Sequence, residues 1–122
     1  RLRDRAGGGE IRAAGVVGMT KFRTLDEFKR SLAEAAPPAG LTLPLTSLWW
    51  MMKGDWKRAH DLVNDAEGHT EAWVHAHLHR AEGDAANAGY RYRRAAKPSS
   101  STPLAQEWKE IVGALLAGNR EA

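Results

Sequence analysis

The chain of 122 residues has the usual length of one domain and the composition of an ordinary globular protein. No apolar run is long enough to span a membrane. The chain has no cysteine, which excludes disulfides, thiolate metal ligands and a cysteine nucleophile and fits the reducing cytoplasm. Two of the three net positive charges lie in residues 1–18, so the remainder is nearly neutral and has no strong general attraction for phosphate.

Residues 1–18 differ in composition from the rest of the chain. They are rich in glycine, alanine and arginine and show no helical or alternating apolar period. We therefore predict a disordered tail at residues 1–18, followed by a single helical domain at residues 19–122. An arginine-containing targeting segment is the alternative, but Asp4, Glu10 and the lack of serine argue against it.

The first patterned segment opens with a capping box in which Thr24 and Glu27 can each bond the other residue's amide. It predicts a helix over about 25–36, which the two prolines at 37 and 38 end. Its apolar residues recur on one side only, so this helix is expected to pack against the rest of the domain.

The second predicted helix, about 43–53, is apolar on most of its surface. Thr42 can cap it, and Pro44 is tolerated in the first turn. Its large apolar residues are Leu45, Leu48, Trp49, Trp50, Met51 and Met52. A helix of this kind is buried on several sides or exposes an apolar surface. Self-association of the chain through this helix is therefore an open alternative.

Four more helices complete the predicted domain. The first three cover about 55–65, 70–82 and 84–96. Thr70 and Asp84 are predicted to cap the second and third of these. After a loop rich in proline and serine, apolar residues at three- and four-residue steps predict a last helix over about 103–117, which Gly118 ends.

One short pattern occurs twice in the middle of the chain. A Gly-Asp pair, at Gly54 and again at Gly83, has alanine five and twelve residues later and a larger side chain nine residues later. A small residue precedes each glycine by seven positions and a ring precedes it by four. A left-handed glycine followed by a capping aspartate is typical of a turn between two helices that small residues allow to approach closely.

This spacing resembles the tetratricopeptide repeat, although the two glycines are 29 residues apart and the family period is about 34. The resemblance implies an all-α fold in which antiparallel hairpins, about 43–66 and 70–96, stack as a short array between N- and C-terminal capping helices. The strings LWW, GDW, AH, AWVHAHLHR, EGD and NAGYRYRRA are also similar to a group of small bacterial proteins of unknown function. That second resemblance implies no activity.

The resemblance to tetratricopeptide repeats also implies a concave surface that binds a peptide or a partner protein. Aligned on the two glycines, the residues expected on this surface are Leu48, Met51, Met52, Trp73, His77 and Arg80. Methionine adapts to irregular partners, tryptophan is a common interface anchor, and Arg80 could pair with a carboxylate of the ligand. The alternative is that the helix at about 25–36 packs into this groove and hides it. A protein- or peptide-binding module is the main functional hypothesis.

A cluster of histidines supports a second hypothesis. His75 and His79 are four residues apart on one face of a predicted helix, and Glu82 follows three residues later. Two imidazoles and a carboxylate could hold zinc or serve a small metal-dependent or acid–base enzyme. The competing interpretation is that these histidines are half-buried packing residues, because no third ligand from another segment is identified. No other cofactor is predicted.

A basic stretch near residue 90 supports a third, weaker hypothesis. Arg91, Arg94 and Lys97 recur at three-residue steps close to the C-terminal end of a predicted helix, where the helix dipole favours cations. A solvated basic face explains this pattern, and nucleic-acid binding is not favoured. No Ser-His-Asp arrangement or phosphate-binding loop is present, so a non-enzymatic role is preferred.

Overall fold

The computed structural model describes residues 24–121, so the prediction for the tail at 1–18 lies outside the described residues. The described part contains six α-helices and no strand, which confirms the predicted all-α class. The helices are α1 (Leu25–Ser31), α2 (Leu43–Met52), α3 (Trp56–Val63), α4 (His69–Glu82), α5 (Ala85–Ala95) and α6 (Leu104–Glu121). Within this range, no helix combines the length and apolar character needed to cross a membrane.

The first helix begins as predicted but ends early. The Thr24 hydroxyl accepts from the Glu27 amide, and the Glu27 carboxylate accepts from the Thr24 amide, each at 3.1 Å. α1 nevertheless stops at Ser31 instead of residue 36. The Lys53 ammonium donates to the carbonyls of Leu32 and Glu34 at 2.8 and 2.9 Å, so these oxygens have partners without a further helical turn.

The two Gly-Asp turns have the predicted geometry. Gly54 and Gly83 adopt left-handed φ values of 91° and 88°. The carboxylates of Asp55 and Asp84 then accept from first-turn amides of α3 and α5 at 3.0 and 3.1 Å. Each turn therefore joins two helices, through three residues at Gly54 and two at Gly83.

Two further predicted helix ends are wrong. α4 begins at His69 with Gly68 in the cap position, so Thr70 is not its N-cap. α6 continues through Gly118 to Glu121, so Gly118 does not end it. A glycine inside a helix costs only about 1 kcal/mol relative to alanine, and α6 is held by an extensive buried face that outweighs this cost.

The small residues of the repeated pattern lie where paired helices touch. Ser47 on α2 is fully buried, and its hydroxyl donates to the Ala59 carbonyl of α3 at 2.7 Å. In the next pair, Ala76 on α4 packs with Ala88 and Tyr92 on α5. Each helix therefore contacts the one that follows it across its Gly-Asp turn, as the pattern predicts.

The core is closed by the first and last helices. α4 is central and contacts α2, α3, α5 and α6. The Trp108 indole of α6 donates to the Leu48 carbonyl at 2.8 Å, and its ring centre is 5.8 Å from that of Phe28 on α1. The Trp49 indole of α2 donates to the Ser31 hydroxyl at 3.0 Å. α1 and α6 therefore pack against α2 through a shared group of buried rings.

Candidate metal centre

The predicted concave surface is partly closed in the structure. Leu48 and His77 are 0% and 1% exposed, because α6 packs on α2 and α4 where a peptide was expected. Neither side chain can contact a partner in this arrangement, so both are removed from the predicted binding surface. The alternative prediction that the helix at 25–36 fills the groove is also incomplete, because α6 supplies most of the cover and α1 contributes through Phe28.

The carboxylate expected from a ligand of Arg80 comes instead from α6. Glu107 is 2% exposed, and its Oε1 accepts from Arg80 Nη1 at 2.7 Å and lies 2.8 Å from His77 Nδ1. The Tyr92 hydroxyl donates to the other oxygen, and Arg80 Nη2 donates to the Thr102 carbonyl at 2.6 Å. Burial raises the pKa of Glu107, but the hydrogen bonds from His77, Tyr92 and Arg80 outweigh burial and the net pKa is lowered. Arg80 therefore has a structural partner inside the protein.

The remaining three residues of the predicted surface stay accessible. Met52 is 43% exposed, and Met51 and Trp73 are half-buried. The Lys97 ammonium lies 4.3 Å from the centre of the Trp73 ring, beside a groove of about 430 Å³ between α4, α5 and α6. Arg91 and Arg94 lie over the exposed Tyr90 ring, so the predicted basic face of α5 is built around two aromatic side chains.

The histidines of α4 meet a third histidine that the sequence interpretation missed. His60 of α3 lies beside His75 and His79, with its Nε2 atom 3.0 Å from His75 Nε2. One ring nitrogen from each of the three histidines lies within 4.8 Å of the others. The three rings, which we call the trihistidine cluster, join the second helix of one hairpin to the first helix of the next.

Local structure holds each ring of the trihistidine cluster in place. His75 and His79 are one helical turn apart and stack at 4.7 Å between ring centres. His60 stacks on Trp56, one turn earlier on α3, at 4.7 Å and 11° between planes. The Trp56 indole donates to the Leu78 carbonyl at 2.7 Å, which ties that pair to α4. The cluster is therefore built from two helix faces with the same four-residue spacing.

Glu82 supports the cluster through His79. Its Oε2 atom lies 2.7 Å from His79 Nδ1, and His79 itself is nearly buried. A proton on Nδ1 that bonds the carboxylate leaves the Nε2 lone pair free, which is the usual arrangement behind a metal-bound histidine. Glu82, predicted as a ligand beside His75 and His79, is therefore better placed as the carboxylate that orients His79.

The electrostatic environment keeps two of these imidazoles neutral. Burial lowers the pKa of His75 to about 3, and the charges of Arg91, His60 and His79 act in the same direction. Burial also lowers the pKa of His60, with a further contribution from His79. Neutral imidazole is the form that binds a metal. Because one Nε2 atom donates to the other in the hydrogen bond between these rings, the donor ring has to move its proton to Nδ1 before both Nε2 atoms can bind an ion.

One distance between ring nitrogens is close to that expected around a small divalent ion. Two nitrogen ligands of a tetrahedral zinc ion at 2.0–2.1 Å are about 3.3 Å apart. The separation of 3.0 Å between His60 Nε2 and His75 Nε2 is close to that value. A three-histidine set leaves one coordination position open, as in catalytic zinc sites.

The spacing of rings in the sequence contained part of the evidence for His60, the histidine that the sequence analysis did not identify. Trp56 and His60 are four residues apart and share a face of α3, which identifies a second ring-bearing face. The contact between that face and the face of His75 and His79 depends on how α3 packs on α4. The pattern within each hairpin does not specify this packing between hairpins.

Comparison of the chain with protein-family models, with curated proteins and with solved structures finds no match. The trihistidine cluster is therefore the feature from which a function is inferred.

Proposed function

We propose that this protein binds a divalent transition-metal ion through His60, His75 and His79, with Glu82 orienting His79. The observation that carries the proposal is the convergence of three imidazoles from two hairpins, with one ring nitrogen of each within 4.8 Å of the others. Imidazole suits zinc, copper, nickel and iron, and zinc accommodates a three-histidine set in tetrahedral geometry.

The cluster keeps ring nitrogens that an ion could bind. Three imidazoles have six ring nitrogens between them, and within residues 24–121 the hydrogen bonds between His60 and His75 and from His79 to Glu82 engage three of the six. None of the six is a buried atom without a partner, so the case for a metal rests on the convergence of the three rings. An ion at the centre would bind one nitrogen of each ring. Its open fourth position would allow a small metal-dependent enzyme, the second hypothesis drawn from the sequence.

The direct test is zinc titration of the full chain after treatment with a chelator, followed by calorimetry and thermal unfolding. We expect one zinc ion per chain. Because the site spans two hairpins that separate on unfolding, zinc at 100 times its dissociation constant should raise the free energy of unfolding by about 2.7 kcal/mol. Folding of every variant is checked by circular dichroism.

His69 provides a matched control, because it lies on the same helix as two of the ligands but is exposed. His60→Gln and His79→Gln should each abolish the stoichiometric site and the thermal shift. His69→Gln should leave both unchanged. Absence of zinc binding in the wild type, or an equal loss in the His69→Gln variant, would overturn the proposal.

Peptide or protein binding by a tetratricopeptide-like domain is a second proposal. It is supported by the two left-handed Gly-Asp turns and by the accessible Trp73, where Lys97 could pair with a carboxylate of the ligand. The contact set is reduced to Met51, Met52 and Trp73. Equal capture of a partner by the wild type and by a folded Met52→Ala/Trp73→Ala variant would exclude it.

A further inference from the structure

The groove between α4, α5 and α6 exists because the last two helices do not pack closely on each other. Both pack on α4, but within the described residues no Cα atom of α5 lies within 8 Å of one of α6. The groove that remains between them has a volume of about 430 Å³. Its apolar lining consists of Trp73, Ala95, Ala96, Ala114 and Leu115.

Small side chains and a fixed ring keep this groove open. α5 ends at Ala95, and Ala96 adopts a left-handed φ of 57°, so no further helical turn fills the space. On the other side of the groove, α6 presents Ala114, which is exposed. Trp73 packs against both buried clusters of the core, which holds its ring in place at the groove. The groove is therefore already formed and needs no rearrangement to admit a ligand.

The groove combines this apolar lining with a cation. The Lys97 ammonium lies 4.3 Å from the centre of the Trp73 ring, and no carboxylate among the described residues forms an ion pair with it. The other polar lining residues are His69 and Thr70, so no acidic side chain of the described residues lines the groove. One ammonium compensates one negative charge, which suits a carboxylate better than a phosphate group with nearly two charges at neutral pH. The lining therefore favours a ligand with one carboxylate and an apolar body.

We propose that this groove binds a small carboxylic acid with an aromatic body. Its carboxylate pairs with the Lys97 ammonium, and its ring packs beside Trp73 and Leu115. The volume of about 430 Å³ is within the range of small-molecule sites. The groove includes none of the three metal-binding histidines and neither Met51 nor Met52. The inference is therefore independent of the metal site, and it shares only the Trp73–Lys97 pair with the peptide-binding proposal.

The test uses the metal-free full chain, so that no ion at the trihistidine cluster can bind a carboxylate. Phenylacetate and its uncharged analogue phenylacetamide are titrated in parallel, and binding is followed by the amide chemical shifts of the protein. We expect saturable binding of phenylacetate, with the largest shifts at residues 95–97 and 114–115. Phenylacetamide should bind about three- to fivefold more weakly, as expected for loss of one partly exposed charge pair.

Lys97→Gln tests the charge pair, and Lys109→Gln is its control, because Lys109 is an exposed lysine of α6 that does not line the groove. Lys97→Gln should weaken binding of phenylacetate about three- to fivefold and leave binding of phenylacetamide nearly unchanged. Lys109→Gln should change neither affinity. If Lys97→Gln weakened both ligands equally, or if the two variants bound phenylacetate with the same affinity, the proposed role of Lys97 would be overturned.

Ala114→Leu tests the location of the site, because the larger side chain fills the groove from an exposed position of α6. It should abolish binding of phenylacetate, whereas Ala105→Leu, at an exposed position of α6 outside the groove, should not. A short peptide that ends in phenylalanine is titrated as a further probe. Absence of phenylacetate binding in the wild type, or equal binding in Ala114→Leu, overturns the inference. Binding of the peptide without binding of phenylacetate also overturns it and assigns the groove to the end of a partner chain.

Discussion

Glu107 illustrates how a single residue connects three helices. Its side chain is buried on α6 and is bonded by His77 and Arg80 of α4 and by Tyr92 of α5. A buried carboxylate with three donors is stable only while all of them remain, because removal of one partner leaves the others desolvated and unpaired. The hydrogen bonds to Glu107 therefore specify how α6 packs on the α4–α5 pair.

Glu107→Gln should lower the free energy of unfolding by about 3 kcal/mol near neutral pH, because Arg80 and His77 lose a buried charge partner. The pKa of Glu107 in the folded protein is below its ordinary value of 4.5. Its stabilising contribution is therefore complete above about pH 4.5 and is lost as the pH falls through the lowered pKa. The difference between wild type and variant should shrink in the same interval, as measured by urea unfolding.

The control for this prediction is Glu110→Gln on the exposed side of α6. It removes the same charge from the same helix but should change the free energy of unfolding by less than about 0.5 kcal/mol. If Glu110→Gln lowered the free energy of unfolding as much as Glu107→Gln, the charge of the helix, rather than the buried hydrogen bonds of Glu107, would account for the effect.

The sequence predicts the kind of chemical group that these residues bind, but not which residue supplies it. Arg80 was predicted to bind a carboxylate, and it does, but the carboxylate belongs to Glu107. The two residues are 27 positions apart and lie on helices that are not consecutive. Neither helical periodicity nor the repeat spacing relates them, so only the packed structure brings them together.

At the scale of helices, glycines differ in what they do. Gly83 adopts a left-handed φ of 88° and ends α4, whereas Gly113 lies inside α6. A Cβ atom added at either position would have nothing within 4 Å, so packing does not distinguish them. Any difference in the effect of alanine must come from the backbone.

Gly83→Ala should therefore destabilise the protein by about 1 kcal/mol, because a side chain disfavours the left-handed conformation. Gly113→Ala should stabilise it by up to about 1 kcal/mol, because alanine has the higher helix propensity. Urea unfolding of the two single variants measures both effects against the same wild type. Effects of the same sign would show that local contacts outweigh backbone preference.

Helix ends show where local sequence is sufficient. The turns at Gly54 and Gly83 were predicted because the glycine and the capping aspartate act within a few residues of each other. The early end of α1 was not predicted, because Lys53 reaches the carbonyl of Leu32 from 21 positions away. Gly118 was expected to end α6, but tertiary packing sustains the helix through it.

At the scale of the whole molecule, the last helix has a different role from the one expected. The apolar spacing of α6 predicted a helix at the C-terminal end but did not say which surface it covers. Trp108 identifies the surface that α6 covers, since it is 1% exposed and contacts both Leu48 of α2 and Phe28 of α1. α6 thus fills the surface predicted for a partner, while the trihistidine cluster is formed by α3 and α4.

The separation of α6 from the trihistidine cluster leads to a prediction for Trp108→Ala. Loss of a large buried ring typically costs about 3–5 kcal/mol, and here it also removes the hydrogen bond to the Leu48 carbonyl. Because Trp108 joins α6 to α1 and α2, we expect native-state hydrogen exchange to accelerate most in α1 and α6. The α4–α5 pair has its own buried cluster of Ala76, Ala88 and Tyr92 and should keep more of its protection.

In the same variant, zinc affinity should remain within about threefold of wild type at temperatures where the protein is folded, because none of the three histidines contacts Trp108. Trp56→Ala is the opposite case, since its ring stacks on His60 and its indole bonds the Leu78 carbonyl. It should weaken zinc binding about tenfold or more through loss of ligand positioning. If Trp108→Ala weakened zinc binding as much as Trp56→Ala, the two ends of the domain would be coupled, contrary to the separation of α6 from the metal centre.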